Sequence, residues 1–173
     1  MMQHVRRALL PLLALLALPA TATADAAGTR VTTRALRLIP QVSIRGVSLG
    51  MTPAQTEAVL GRPDARHKGR QPGIGATLTL TFGLVTVRFD GVKPSSEAVT
   101  ITTTSRKERT ARGVGVGSSE AIVRQRVPGV KCLEEYGYRH CVVGVQKAGQ
   151  VVTDFSIGGS GRVTRISLAR MLD

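Results

Sequence analysis

The stretch RGVSLGMT, at Arg45–Thr52, decides the fold, because it returns as RGVGVGSS at Arg112–Ser119. Each copy leads into a short helical pattern and then into strand-like segments. Self-similarity at a fixed spacing is the sequence signature of a repeated supersecondary unit. We therefore expect an α+β fold of two tandem repeats, each a short helical segment followed by about three antiparallel β-strands.

The first repeat is predicted over residues 42–105. Thr52 can cap a helix that starts at Pro53, Gln55 completes a capping box, and Gly61 is suited to end the helix. Apolar residues then alternate with polar ones, which is the pattern of half-buried strands with one wet face. Such strand patterns cover residues 77–82, 85–89 and 99–102.

The second repeat is predicted over residues 106–173. Ser118 or Ser119 can cap a helix, and Glu120 in its first turn suits the helix dipole. Pro128 is expected to stop this helix. Strand patterns cover residues 138–145, 151–157 and 163–168.

The chain opens with the three parts of a secretory signal peptide. Arg6 and Arg7 form a basic head, an apolar run follows, and Ala22–Ala24 matches an A-x-A cleavage site. The alternative is an uncleaved anchor, although the apolar run is short for spanning a bilayer. We expect residues 1–24 to be a signal peptide and 25–41 a lead-in. The mature protein would then be secreted, or periplasmic or cell-envelope, without a transmembrane segment.

The chain is strongly basic, with a formal net charge of +13 at pH 7. Such a surface attracts polyanions, among them nucleic acid, anionic polymers and acidic protein patches. Export argues against nucleic acid, and a chain without Trp offers few platforms for base stacking. A solvated surface is the simpler interpretation of the charge. The expected partner is an exported or envelope protein, or an anionic cell-envelope polymer.

Two basic segments are the candidate contact surfaces. The first is a Gly- and Pro-rich stretch, predicted as a loop over residues 62–75, and the second is the link between the repeats. Charged loops on a rigid scaffold often bind partners, although a solvated loop remains the simpler alternative. The predicted binding residues are Arg62, Arg66, His67, Lys68, Arg70, Arg106, Lys107 and Arg109.

Two cysteines, Cys132 and Cys141, occur in the chain. In an exported protein two cysteines most often pair, and Gly137 between them would let the segment fold back. A metal site and a nucleophile are the alternatives, since His140 precedes Cys141. A single His-Cys pair lacks the four ligands of a structural zinc site. We expect a disulfide, no metal and no cofactor.

Catalysis is not indicated by the histidines. His67 and His140 are the two histidines beyond the predicted signal peptide, and Asp64 precedes His67 by three residues. A triad is recognised by geometry, which one sequence does not supply. We predict no catalytic residues and a non-enzymatic protein. The alternative is a small secreted hydrolase that uses His67 or His140.

Two further patterns have simple structural interpretations. Glu134 and Glu135 are adjacent, so on a strand they would point to opposite faces rather than converge on a substrate. The spacing Gly113-x-Gly115-x-Gly117 is similar to a phosphate-binding loop, which requires a parallel βαβ setting. Comparison of the two repeats assigns Gly113 and Gly117 to a turn instead.

Gly50-Met51-Thr52 with Gln55, followed by Leu60-Gly61-x-Pro63, resembles the opening of the SmpA/OmlA family of small outer-membrane assembly lipoproteins. It is also similar to the secreted β-lactamase inhibitory proteins, which carry two tandem helix-plus-sheet units with cysteines bridged within units. The resemblance covers about residues 44–173, and only the first motif is close. The motif itself is structural, since it consists of a strand end, a glycine turn and a helix cap. Lipid anchoring is not expected, because no cysteine lies near the cleavage site.

The sequence thus predicts an exported, non-enzymatic binding module of the cell envelope or extracellular space, which engages a protein or an anionic envelope polymer. The alternative is a secreted inhibitor of an exported hydrolase, in which the two sheets form a concave face that clamps an enzyme loop. Few aromatic residues are available for the hot spots of such an interface.

Overall fold

An eight-stranded antiparallel sheet dominates the computed structural model, which describes residues 38–135 and 137–171. The predicted signal peptide at residues 1–24 and the lead-in up to residue 37 lie outside the described residues. In chain order the elements are β1 Leu38–Ile39, β2 Ser43–Ile44, α1 Pro53–Leu60, β3 Ala65–Gln71, β4 Gly75–Phe82, β5 Val85–Phe89, β6 Ala98–Thr103, α2 Glu120–Arg126, β7 Lys131–Glu135, β8 Tyr138–Val143, β9 Val151–Ile157 and β10 Val163–Arg170.

The fold is mostly β, so the expectation of an α+β chain with repeats of one helix and three strands is wrong. Four strands follow each helix, and all eight lie in one sheet with the order β3-β4-β5-β6-β10-β9-β8-β7. The two sets of strands meet where β6 pairs with β10. Strands β1 and β2 form a separate two-stranded sheet.

Within the eight-stranded sheet, the sequence patterns missed the two edge strands, β3 and β7. An edge strand has a neighbouring strand on one side only, so it needs no regular alternation of apolar and polar residues. The residues of β3 read ARHKGRQ and those of β7 read KCLEE. Charged side chains are typical of edge strands, since they prevent pairing with another chain. The segment predicted as a loop at 62–75 is therefore largely β3.

The two helices begin and end at local sequence signals. The Thr52 hydroxyl accepts a hydrogen bond from the Gln55 backbone N–H, and the Gln55 side chain accepts one from the Thr52 N–H. Gly61, at φ 87°, ends α1 in a conformation that favours glycine. The Ser119 hydroxyl caps α2. Neither helix in the described ranges is long and apolar enough to cross a membrane.

Both helices pack on the same face of the sheet. Val123 of α2 and Leu60 of α1 contact the cluster of buried residues that includes Leu80, Ile101 and Phe155 from the strands. Burial of such apolar surface is the main stabilising contribution to folding. We call the opposite face of the sheet, which presents the partly buried Thr100 and Thr102 of β6, the open face.

Candidate ligand-binding face

The open face carries hydroxyl groups and two arginines at its centre. Residues directly opposite one another on neighbouring antiparallel strands lie on the same face. This register aligns Thr86, Thr102 and Ser167 in one row across β5, β6 and β10. A shallow cavity of about 420 Å³ lies over this area and is lined by Thr79, Thr86, Arg88, Thr100, Thr102, Arg165 and Ser167. We call these seven residues the threonine–arginine surface.

The alternation of the strands produces this surface directly. In β6, Ala98, Ile101 and Thr103 are buried, and Thr100 and Thr102 between them are only partly buried. Threonine suits such positions, because its β-branched side chain favours the extended backbone while its hydroxyl can bind solvent or a ligand.

Hydrogen bonds hold the side chains of this surface in place. Arg88 Nη2 donates to the Thr100 hydroxyl at 3.0 Å, and the hydroxyls of Thr102 and Ser167 lie 3.2 Å apart across the β6–β10 junction. Arg88 Nε is buried and has no hydrogen-bond partner in the described part of the chain. The surface therefore presents ordered donors and acceptors on rigid strands, with positive charge.

A larger cavity, of about 700 Å³, adjoins this surface over β8, β9 and β10, and Arg165 lines both. His140 Nδ1 lies 2.5 Å from Asp154 Oδ2, and the Ser156 hydroxyl donates to Asp154 Oδ1 at 3.0 Å. Glu135 Oε2 lies 3.8 Å from His140 Nε2. Two carboxylates thus flank the imidazole of His140, one at each ring nitrogen.

The arrangement around His140 differs from a hydrolytic triad. In a triad the carboxylate holds Nδ1 of the histidine, and Nε2 accepts the proton of the nucleophile. Here Ser156 bonds to Asp154, and His140 Nε2 has no hydrogen-bond partner among the described residues. Because the carboxylates of Asp154 and Glu135 face different ring nitrogens, they also do not surround a single point where a metal ion could sit. The geometry orients His140 without supplying an activated nucleophile.

The first group of predicted binding residues does not form a single surface. Arg66 and Lys68 pair with Leu80 and Leu78, which places them on the helix-covered side of the sheet. His67 pairs with Thr79 and therefore lies on the open face. Arg66 Nη2 is 2.6 Å from Glu57 Oε2 of α1. The two remaining arginines of the group are exposed. Arg62 follows α1, and Arg70 is opposite Ala76 on β4.

The second group lies in the connection between β6 and α2. Arg106 and Lys107 are exposed there. Arg109 is partly buried, and it donates to the carbonyl oxygens of Gly113 and Val116 at 3.0 and 3.3 Å. The guanidinium of Arg109 therefore stabilises the connection itself.

Cys132 and Cys141 form a disulfide between β7 and β8, where they are directly opposite each other. The Glu120 carboxylate lies close to both sulfur atoms. The disulfide leaves no thiolate for a metal, however, and Glu120 is already paired with arginines. This cluster is therefore structural.

Glu120 links α2 to the sheet through two arginines. Its carboxylate lies 2.7 Å from Arg124 Nη2 and 2.5 Å from Arg139 Nε of β8, and only 12% of its side chain is exposed. Hydrogen bonds from Arg139 and then Arg124 hold the pKa of the Glu120 carboxyl below its ordinary value. Because that pKa is lowered in the folded protein, the stabilisation is present at neutral pH and is lost as the pH falls through the folded-state pKa.

Replacing Glu120 with Gln is expected to lower the free energy of unfolding at pH 7 by about 1 kcal/mol, since both arginine pairs and the favourable charge at the start of α2 are lost. Urea unfolding at pH 7 and at pH 3 measures the effect. The difference from wild type should be smaller at pH 3, because the stabilisation from a lowered pKa declines as the pH falls. Glu97→Gln is the control, because Glu97 is exposed and makes no ion pair with any described residue. An equal loss at both pH values would contradict the assignment.

Sequence reasoning missed Arg88, Arg165 and Asp154. The sequence alternation indicates that Arg88 lies on the solvent-facing side of its strand. The residues beside Arg88, Thr79 and Thr100, belong to two other strands and were therefore not predicted. Asp154 reaches His140 only because β8 pairs with β9 in the observed register, which sets His140 opposite Ser156. No local pattern predicts that register.

No family model and no curated protein sequence matches this chain. Among solved structures, the chain is similar to a DUF4309 family protein, YjgB, from Bacillus subtilis subsp. subtilis strain 168. The sequence identity is 13% and the TM-score is 0.46, over 78% of this chain and 87% of that chain. Similarity at this level transfers no function. The expected relation to the lipoproteins and inhibitors stays a prediction.

Proposed function

We propose that this protein is an exported, non-enzymatic binding protein that engages an acidic region of an envelope or extracellular protein through the open face of its sheet. The threonine–arginine surface is the observation that carries the proposal. It supplies hydroxyl donors and acceptors at fixed spacing, two guanidinium groups and no carboxylate. Export is supported by the signal-peptide pattern and by the disulfide, which is typical of oxidising compartments.

Charge complementarity argues for an acidic partner. Arg88 and Arg165 are the charged side chains of the threonine–arginine surface. Arginine is favoured at interfaces, because its planar guanidinium binds carboxylates through two parallel hydrogen bonds. The strong positive charge of the whole chain would also speed the encounter with such a partner at low salt.

One observation favours a second candidate, inhibition of an exported hydrolase. The cavity of about 700 Å³ beside the threonine–arginine surface has the dimensions of a small-molecule site and could receive a side chain from an enzyme loop. The two candidates share the same face. They differ in whether the captured partner loses activity when the protein is added in stoichiometric amounts.

Replacing Arg165 with Glu is expected to weaken partner binding at least tenfold, because it places a carboxylate opposite an acidic surface. The measurement is capture from culture medium and envelope extract on the immobilised chain from Asp25 onward, at low and high salt, followed by titration of the captured protein. Lys147→Glu is the matched control. It makes the same charge change at an exposed residue of the β8–β9 connection.

The proposal is supported if a partner protein is captured by the wild-type chain and by the Lys147→Glu variant but not by the Arg165→Glu variant. Equal losses with both variants would show that net charge alone drives capture, against a defined face. Capture of a polymer without a protein would favour an anionic envelope polymer as the partner. Circular dichroism of each variant establishes that its fold is intact.

A further inference from the structure

Three arginines converge away from the open face. Arg106, Arg109 and Arg162 line a cavity of about 240 Å³ together with Val116 and Gly117. None of these residues lines the cavities of the open face. We call this feature the arginine pocket, and it brings together the connection between β6 and α2 and the connection between β9 and β10.

The absence of a Cβ atom at Gly115 allows the backbone and Arg109 to approach each other closely. A Cβ atom at Gly115 would lie 3.2 Å from Cγ of Arg109 and 2.4 Å from the carbonyl oxygen of Glu108. At Gly117 a Cβ atom would make only an ordinary contact with Nε of Arg106, at 3.6 Å, and glycine is favoured there by its φ of 90°. Gly115 thus leaves room for Arg109 of the pocket, and Gly117 serves the turn.

Backbone carbonyl groups orient two of the three guanidinium groups. Arg162 Nη1 donates to the carbonyl oxygen of Gly117 at 2.9 Å. Arg109 Nη2 donates to the carbonyl oxygen of Val116. Arg109 also donates through Nη1 to the Gly113 carbonyl oxygen and the Ser118 hydroxyl. A guanidinium group has five N–H donors, so four remain on Arg162 and two on Arg109 beyond these bonds.

The positive charge of the pocket is not balanced within the described part of the chain. Among the described residues, the arginines that form ion pairs are Arg66, Arg124 and Arg139. None of these three lines the pocket. Glu108 is the one acid in the segment, but it is buried and accepts a hydrogen bond from the Thr103 hydroxyl. Like charges held close together repel, and a bound anion would relieve that repulsion.

We propose that the arginine pocket binds a phosphoryl group, either as inorganic phosphate or as a phosphomonoester. Guanidinium groups match the geometry of a tetrahedral oxyanion through paired hydrogen bonds. One water molecule needs about 10–15 Å³ of such cavity volume, and this cavity has about 240 Å³. It therefore has room for a phosphate with part of its hydration or with a small ester group.

Isothermal titration calorimetry at constant ionic strength tests the site, with inorganic phosphate and glycerol phosphate as separate ligands and sodium chloride as the competing salt. Saturable binding is expected for at least one phosphate ligand. Arg162→Gln should weaken it about tenfold, because a charge-assisted hydrogen bond is lost. The matched control is Arg170→Gln, an exposed arginine at the end of β10 that does not line the pocket. Arg109 is left unchanged, since it stabilises the connection.

The two phosphate ligands distinguish the source of the group. Tighter binding of inorganic phosphate identifies the free ion, and tighter binding of glycerol phosphate identifies an ester. Absence of saturable binding for both ligands would overturn the proposal, as would equal weakening by Arg162→Gln and Arg170→Gln. Partner capture through the open face should be unchanged in Arg162→Gln, so the two proposals can fail separately.

Discussion

Ile101→Ala is expected to lower the free energy of unfolding by about 2–5 kcal/mol, the range for truncating a fully buried aliphatic side chain. The side chain of Ile101 is 0% exposed. It lies on β6 opposite Val87 on one side and Leu168 of β10 on the other. Its removal would leave a cavity at the junction where the two sets of four strands meet.

From the position of Ile101 we also predict how cooperatively the sheet unfolds. Because β6 and β10 share one ladder and one buried cluster, strands on both sides of the junction should unfold together. Urea unfolding gives the free energy, and amide hydrogen exchange should become faster in both β4 and β9. Val145→Ala is the control, since Val145 is 60% exposed and its truncation should change stability by less than about 0.5 kcal/mol. Faster exchange confined to strands β3–β6 would contradict a single cooperative unit.

Removing the disulfide by the double change Cys132→Ala and Cys141→Ala is expected to cost about 2–3 kcal/mol. A link between residues separated by 9 positions restricts the unfolded chain by this amount in the chain-entropy model. The disulfide also joins β7, an edge strand with one sheet neighbour, to β8. Urea unfolding of the oxidised wild-type protein and of the variant measures the loss.

The effect of the disulfide should be greatest at β7. Amides of β7 are expected to lose exchange protection first, because edge strands have fewer contacts than central strands. Reduction of the wild-type protein should reproduce the change, and the same reductant should leave the cysteine-free variant unaffected. An unchanged urea midpoint after reduction would show that the disulfide does not stabilise the fold.

Local features of the fold could be predicted from sequence, because their causes lie within a few residues. Thr52, Pro53 and Gln55 place the start of α1, since capping joins a side chain to a backbone N–H three residues away. The alternation at 85–89 and 151–157 coincides with β5 and β9. These strands are half-buried, so their polar and apolar residues alternate with the pleat.

Edge strands escaped prediction for the opposite reason. Residues 65–71 carry four basic side chains and show no apolar alternation, so they resemble a loop. They form β3 because β4 offers a free row of backbone donors and acceptors, which is a property of the neighbouring strand. The same argument applies to β7, which is held by β8 and the disulfide.

The sequence by itself determined where the helices begin, which strand residues are apolar and which segments are basic, since capping and alternation act over a few residues. Only the tertiary structure decided that β6 pairs with β10, which turns two sets of strands into one sheet. That pairing brings Arg88 and Arg165 onto one surface, and the packing of two distant connections brings Arg162 to Arg106 and Arg109. Backbone pairing between strands is sequence-tolerant, so long-range register follows from the burial of the whole core rather than from any local motif.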